Sequence, residues 1–230
     1  MSPKIQAEFA RASHGDPKAQ FALAEAYRTG DGVDKNIVEA LRWYRAAATA
    51  GEPSAQFRLA MCWLQGEGVE QSDAEASQWL MRSAEQGYTE AVRELGSLYR
   101  LGRGVPQNVA AAAEFHTIAA LAGDELSLGY LRDYRQEIEK AALSGSVVAA
   151  LCLAKMFHRG LGVEKDSVLV LAWLEWAKAH GSRDNDADAK EEVDDMEQFL
   201  ATFEPAAGKR RAKALVKEWA EGQAKILAKA

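Results

Sequence analysis

Apolar residues recur along this chain in steps of three and four, the spacing that keeps side chains on one face of an α-helix. At regular intervals the pattern stops at a short polar stretch and then resumes. The stretches are alike: TGDGVDKN from Thr29, QGEGVEQS from Gln65, LGRGVPQN from Leu101 and RGLGVEKD from Arg159. The spacing predicts a series of helices joined by one recurring turn.

Superposing the four stretches aligns everything around them. Units open at Gly15, Gly51 and Gly87, 36 residues apart without a gap, and a fourth full unit runs from Gly145 to His180. In the first half of each unit a small residue stands at the fifth place (Ala19, Ala55, Ala91, Ala149) and leucine at the ninth (Leu23, Leu59, Leu95, Leu153). Ala or Gly follows at the tenth (Ala24, Ala60, Gly96, Ala154) and an aromatic residue at the thirteenth (Tyr27, Trp63, Tyr99, Phe157). These positions share one helical face, where small residues admit a second helix and large ones fill the space beside it. Gly30, Gly66, Gly102 and Gly160 suit the left-handed residue that ends a helix, and a second glycine two places on lets the chain turn back. Val33, Val69, Val105 and Val163 can plug the apolar end of the helix pair. Asn36, Ser72, Asn108 and Asp166 can cap the next helix through a side-chain oxygen. That second helix carries Trp43, Trp79, Phe115 and Trp173 on its inner face.

A Gly-x-Gly run can also cradle a phosphate, but the phosphate loops need a preceding strand, and the Walker type needs Lys-Ser/Thr after its last glycine. Here a helical pattern precedes every copy and that lysine is missing. The glycines are architectural.

The combination of Ala, Leu-Gly/Ala, Tyr, Gly-x-Gly-Val, a capping polar residue, Trp/Tyr and Ala-Ala at fixed spacing resembles the Sel1-like repeat, a relative of the tetratricopeptide repeat. The resemblance covers residues 15–122 and 145–180. It implies an all-α fold, a right-handed α–α superhelix or solenoid of helical hairpins, whose stacked copies share a core that no single hairpin could bury. It further implies a non-enzymatic protein-interaction scaffold or adaptor. A narrower alternative is a bacterial antitoxin or immunity protein that neutralises an effector, a role in which such repeats occur.

The expected organisation is a solenoid over 1–204, with full repeats 15–50, 51–86, 87–122 and 145–180 and a truncated unit 123–144, followed by a capping helix over 205–230. Residues 3–13 read as the second helix of an incomplete leading unit, with Ile5, Phe9 and Ala12 facing Leu23 and Tyr27. The truncated unit lacks fourteen of the 36 residues, including the whole turn. It reads either as two stunted helices turning near Gly129 or as one longer helix from about Glu125 to Leu143, the second being preferred. Either form could open a cleft between the third and fourth full units. Beyond His180 come an acidic tract from Asp184 to Glu197 and an apolar stripe of Met196, Phe199, Leu200 and Phe203, then KRRAK from Lys209 in the last helix. Acidic and basic tracts are expected to neighbour each other in the cap.

Composition narrows the function. The chain has 230 residues, 48% hydrophobic and 27% charged, and a net charge of -6, which gives no general basic footprint for nucleic acid. No run of eighteen apolar residues suggests a membrane span. The first residues enter helix-like sequence without the features of a secretory signal, which points to the cytoplasm, processing of an earlier signal aside. Cys62 and Cys152 are too few for a disulfide framework and are not spaced as a metal pair. The acids between Asp184 and Asp188 lack the glycine and bidentate glutamate of a calcium loop, so neither metal nor cofactor is expected. His14, His116, His158 and His180 lie in different repeats without a catalytic neighbour in the local pattern, and read as surface or partly buried structural residues. A cell-wall hydrolase and a nucleic-acid binder working through KRRAK are the remaining, weaker alternatives.

The candidate binding residues sit at places 4, 7, 11, 14 and 15 of the first helices. In tetratricopeptide relatives the equivalent stripe lines the concave groove. Phe21, Phe57, Met61 and Leu64 would form an apolar patch there, beside Glu25 and Arg28. Arg93, Arg100, Lys155, His158 and Arg159, with Leu151, would make the later part basic. Apolar surface beside charge marks protein-binding sites, so the expected partner is a protein or peptide with an apolar anchor and acidic residues. The alternative for the aromatic residues is packing alone, Phe21 on Phe57.

Overall fold

The structure, a computed structural model, describes residues 2–181, 193–195, 198 and 206–227. The ordered elements among them are α-helices, and they fall into two compact units, 1–107 and 108–230.

Unit 1 contains α1 (Pro3–Ser13), α2 (Pro17–Thr29), α3 (Ile37–Thr49), α4 (Pro53–Gln65), α5 (Asp73–Ala84) and α6 (Thr89–Leu101). Each helix packs on the next as a run of antiparallel hairpins. The small residues do what their spacing predicts: Ala19, Ala24, Ala40, Ala47, Ala55 and Ala60 are buried, and Leu23, Tyr44 and Leu59 fill the space between them. Ile5 and Ala12 of α1 join this core, whereas Phe9 is exposed and meets Trp43 edge-on with ring centroids 5.9 Å apart. Gln20 and Gln56 donate from Nε2 to the carbonyls of Ala12 and Ala48, both at 3.1 Å, tying each first helix to the second helix before it.

The turns follow the expected local chemistry. Gly30, Gly66 and Gly102 are left-handed caps, and Asn36 and Ser72 accept from backbone amides at the start of α3 and α5. The second glycine has a further reason that spacing does not disclose. A Cβ on Gly104 would stand 2.1 Å from the carbonyl oxygen of Asp73, in the first turn of the preceding second helix. Arg103 fastens the same joint, with Nη2 2.7 Å and Nε 2.9 Å from the two carboxylate oxygens of Asp73. Those bonds hold the Asp73 carboxyl below the usual carboxylate range.

Unit 2 contains α7 (Val109–Leu121), α8 (Glu125–Asp133), α9 (Arg135–Leu143), α10 (Val147–Arg159), α11 (Ser167–Gly181) and α12 (Ala206–Leu227). Asn108 and Asp166 cap α7 and α11 as predicted, and Gly160 ends α10 left-handed. The truncated unit differs from both readings of it. The segment from Glu125 to Leu143 is helical but breaks at Tyr134, whose backbone leaves the helical region at φ -113° and ψ 21°; Gly129 lies inside α8. The break carries the Tyr134 ring into the core, where it is 1% exposed and its hydroxyl lies 2.7 Å from Nδ1 of His116 on α7. The expected cleft is also replaced by packing: α7 and α10 meet directly, with Ala113 and Ala120 in the cluster that holds Leu153 and Met156.

The last helix covers the end of unit 2. Ala212 is buried on α12, and Leu215, Val216 and Trp219 pack on the core, with Trp219 stacked on Trp173 at 4.2 Å. Trp176 of α11 donates from Nε1 to the carbonyl of Ala142 at 2.8 Å. Most of the acidic tract and the stripe Met196, Phe199, Leu200, Phe203 lie outside the described residues. Of the acids, Asp194 and Asp195 are described, and Asp194 takes an ion pair from Lys178 at 3.3 Å.

Candidate functional site

The stripe of unit 1 is organised around one carboxylate. Glu25 of α2 accepts from the hydroxyl of Tyr44, from Nη2 of Arg28 at 2.6 Å, and pairs with Nε of Arg58 at 3.2 Å. Arg28 also reaches the Tyr44 oxygen through Nε at 3.2 Å. Burial by itself would raise the Glu25 pKa, but the bonds from Arg28 and Tyr44 and the charges of Arg58 and Arg28 outweigh it and hold the carboxyl below its ordinary range. The Tyr44 phenol is pushed well up by burial and by the carboxylate it serves. Glu25 and Arg28 were legible as stripe residues; Tyr44 and Arg58 were not. Arg58 sits one place off the stripe, and its length brings it back.

Aromatic rings flank this cluster, though not as a Phe21–Phe57 stack. Phe21, half-buried, tilts onto Tyr44 with centroids 6.0 Å apart, and Phe57 tilts onto Tyr88 at 5.3 Å and 39°. Phe21 thus meets the middle of α3 and Phe57 the residue that opens α6, and neither meets its counterpart one repeat on. Phe57 is 8% exposed, so most of it is core, while Met61 and Leu64 on the same helix are half-buried and offer surface. On α6 Arg93 is paired with Glu94 at 3.3 Å, Arg100 is half-buried and Leu101 exposed.

Tyr88 was missed altogether. The residue before the first helix of each repeat is the N-cap: Asp16, Glu52 and Ser146 accept there from backbone amides of α2, α4 and α10. Tyr88 occupies the same place before α6 and its side chain makes no capping bond. The signal was present in the sequence, one aromatic residue in a column of cap formers.

In unit 2 the stripe residues behave differently. Leu151 is 4% exposed and belongs to the core. Lys155 and His158 are half-buried and Arg159 is exposed. Burial, followed by the nearby charges of Arg159 and Lys165, lowers the His158 pKa.

The other histidines are held by structure. His116 is buried, against the expectation of a surface or partly buried residue, because it occupies the position of Tyr44 in its repeat and meets Tyr130 and Tyr134. His14 and His180 bond through Nδ1 to the carbonyls of Ala10 and Trp176. Both cysteines are buried thiols, with burial as the main cause pushing Cys62 up to about 11. Among the described residues no group of three or more His, Cys, Asp and Glu could hold a metal ion, and no helix is long and apolar enough to cross a membrane.

Comparison with known proteins agrees with this architecture. The family model of the Sel1 repeat matches residues 17–52, 53–88, 89–124 and 148–182. A Sel1 repeat protein from Oxalobacter formigenes is 35% identical, with a TM-score of 0.55 over 57% of this chain and 99% of that one. The protective antigen c5321 of uropathogenic Escherichia coli, which displays the same repeat fold, is 24% identical with a TM-score of 0.54, covering 94% of this chain and 56% of that one. The immunity protein Pa5087 of Pseudomonas aeruginosa is 20% identical with a TM-score of 0.42, over 76% of this chain and 72% of that one. No curated protein matches the chain.

Proposed function

The chain belongs to the Sel1 repeat family, and from that premise we propose that it is an adaptor whose first-helix faces hold a protein partner. The fold is a protein–protein interaction fold. The reading rests above all on the stripe of α4, where Met61 and Leu64 keep apolar surface beside the Glu25, Arg28 and Arg58 cluster. Apolar side chains beside fixed, oriented charges supply both burial energy and register for a partner. In unit 1 the partner places an apolar anchor against Met61, Leu64 and Phe21. In unit 2 the cluster of Lys155, His158 and Arg159 suits acidic residues. Occlusion of a toxic effector is the narrower form of the same reading, and needs no other surface.

The test is retention of proteins from native lysate by the intact chain and by a Met61→Glu, Leu64→Glu variant with unchanged helical circular dichroism. Proteins held by the first and lost by the second support the proposal. Equal retention by both overturns it. A single protein captured in a one-to-one complex whose toxicity is neutralised on binding identifies the effector-occluding form.

A further inference from the structure

Two arginines share one carboxylate in unit 1, and they do not share it equally. Arg28 donates to Oε2 of Glu25 from Nη2 at 2.6 Å and from Nε at 3.3 Å, and the Tyr44 hydroxyl donates to Oε1. Both carboxylate oxygens are therefore engaged before Arg58 is counted. Arg58 stands 3.2 Å from Oε1 through Nε as an ion pair, without a hydrogen bond among the described residues. Two guanidinium groups on one carboxylate leave this cluster with one positive charge in excess.

The excess lies with Arg58. Its side chain is 44% exposed against 30% for Arg28, and its approach through Nε leaves the terminal Nη1–Nη2 edge open. Such an edge can grip a carboxylate through two parallel hydrogen bonds. The neighbouring acids Glu52 and Glu90 sit at helix starts. Glu52 accepts from the amide and hydroxyl of Ser54 at the N-cap of α4, and Glu90 stands in the first turn of α6, where the helix dipole favours negative charge. Among the described residues neither pairs with Arg58. Repeat packing does not call for a cation at this place either, since the sister positions carry Ala22, Glu94 and Cys152. One turn further along α4 comes Met61, half-buried. A segment that covers Met61 also takes the Arg58 guanidinium out of water, and burying a charge is costly unless a partner of opposite sign comes with it.

We infer that Arg58 is the seat of a carboxylate, the side chain of an Asp or Glu in the bound segment, one turn of α4 away from the apolar anchor. The inference rests on the reading that Met61 and Leu64 receive the partner. It adds a specificity-determining residue outside the predicted stripe, and it places an acid beside the anchor itself, in unit 1, in addition to any held by Lys155, His158 and Arg159.

A phage-displayed library of random dodecapeptides, selected on the intact chain, tests this. Each peptide's C-terminus is joined to the coat protein, so that the carboxylates offered are those of side chains. Affinities are then measured by fluorescence anisotropy for each selected peptide and for its Asp→Asn or Glu→Gln form, on the wild type and on Arg58→Met. The expected result is enrichment of Asp or Glu beside an apolar residue and roughly tenfold weaker binding to Arg58→Met, a loss that disappears for the amide form of the peptide. Peptides without enriched acids overturn the carboxylate seat. So do acidic peptides for which Arg58→Met costs the acid and amide forms equally or costs neither, as happens when the acid is held in unit 2. If Met61→Glu still weakens such peptides, the stripe remains the binding surface. Selected peptides indifferent to both Arg58→Met and Met61→Glu, or a selection that yields none, overturn both readings.

Discussion

At the scale of the residue, two glycines of similar backbone conformation differ sharply in what they tolerate. Gly51 has φ +93° and open space around a prospective Cβ, whereas Gly104 has φ +68° and meets the backbone of Asp73. Gly51→Ala is expected to lose about 1–2 kcal/mol from the left-handed conformation alone. Gly104→Ala adds overpacking of about 1–3 kcal/mol, so its urea midpoint should fall well below that of Gly51→Ala. Glu25 gives a second prediction. Its folded pKa lies below the unfolded one, so its contribution is present above the ordinary carboxylate range and is lost as pH falls through the folded value. Melting temperature between about pH 5 and 3 should therefore fall less in Glu25→Gln than in the wild type. His158 has the opposite charge and a lowered pKa, so the unfolded chain takes up its proton first. Stability is present above about pH 6.5 and declines below it, and His158→Gln should flatten that decline in thermal melts. Caps and left-handed glycines were readable from sequence because they are decided within a few residues. The Glu25 cluster was only half readable, since Tyr44 and Arg58 reach it from other helices.

At the scale of the element, the truncated unit shows where such reading stops. Helix-forming residues run from Glu125 to Leu143 without Pro or a cap signal at Tyr134, so periodicity favoured one continuous helix. The break is set by a contact with His116, eighteen residues away, which no local window contains. Tyr134→Phe, which removes that bond from a buried site, should cost about 1–3 kcal/mol. Its effect should be seen first as faster amide exchange in α8 and α9, the two short helices that the bond holds at their junction.

At the scale of the whole molecule, each helix stabilises mainly its neighbours, as in other stacked repeats. Trp219 links α12 to α11 through its stack on Trp173. Trp219→Ala should lose on the order of 2–4 kcal/mol, with exchange rising in α11 and α12 while α2 to α4 keep their protection. The repeat count and hairpin order were legible because four copies agree. The division after Gln107 was not, because the third repeat runs through it without any change of pattern. The seat of the second glycine has a consequence for how such chains arise. Gly104 rests on the start of α5, and Gly162 rests likewise on the Leu128 carbonyl in α8, although the unit containing α8 has lost its own turn. The joint asks only for a glycine on one side and a helix backbone on the other. Genes of this design can therefore gain, shorten or exchange segments by in-frame recombination at many points, and the descendants inherit a workable joint even where the ancestral period has been erased.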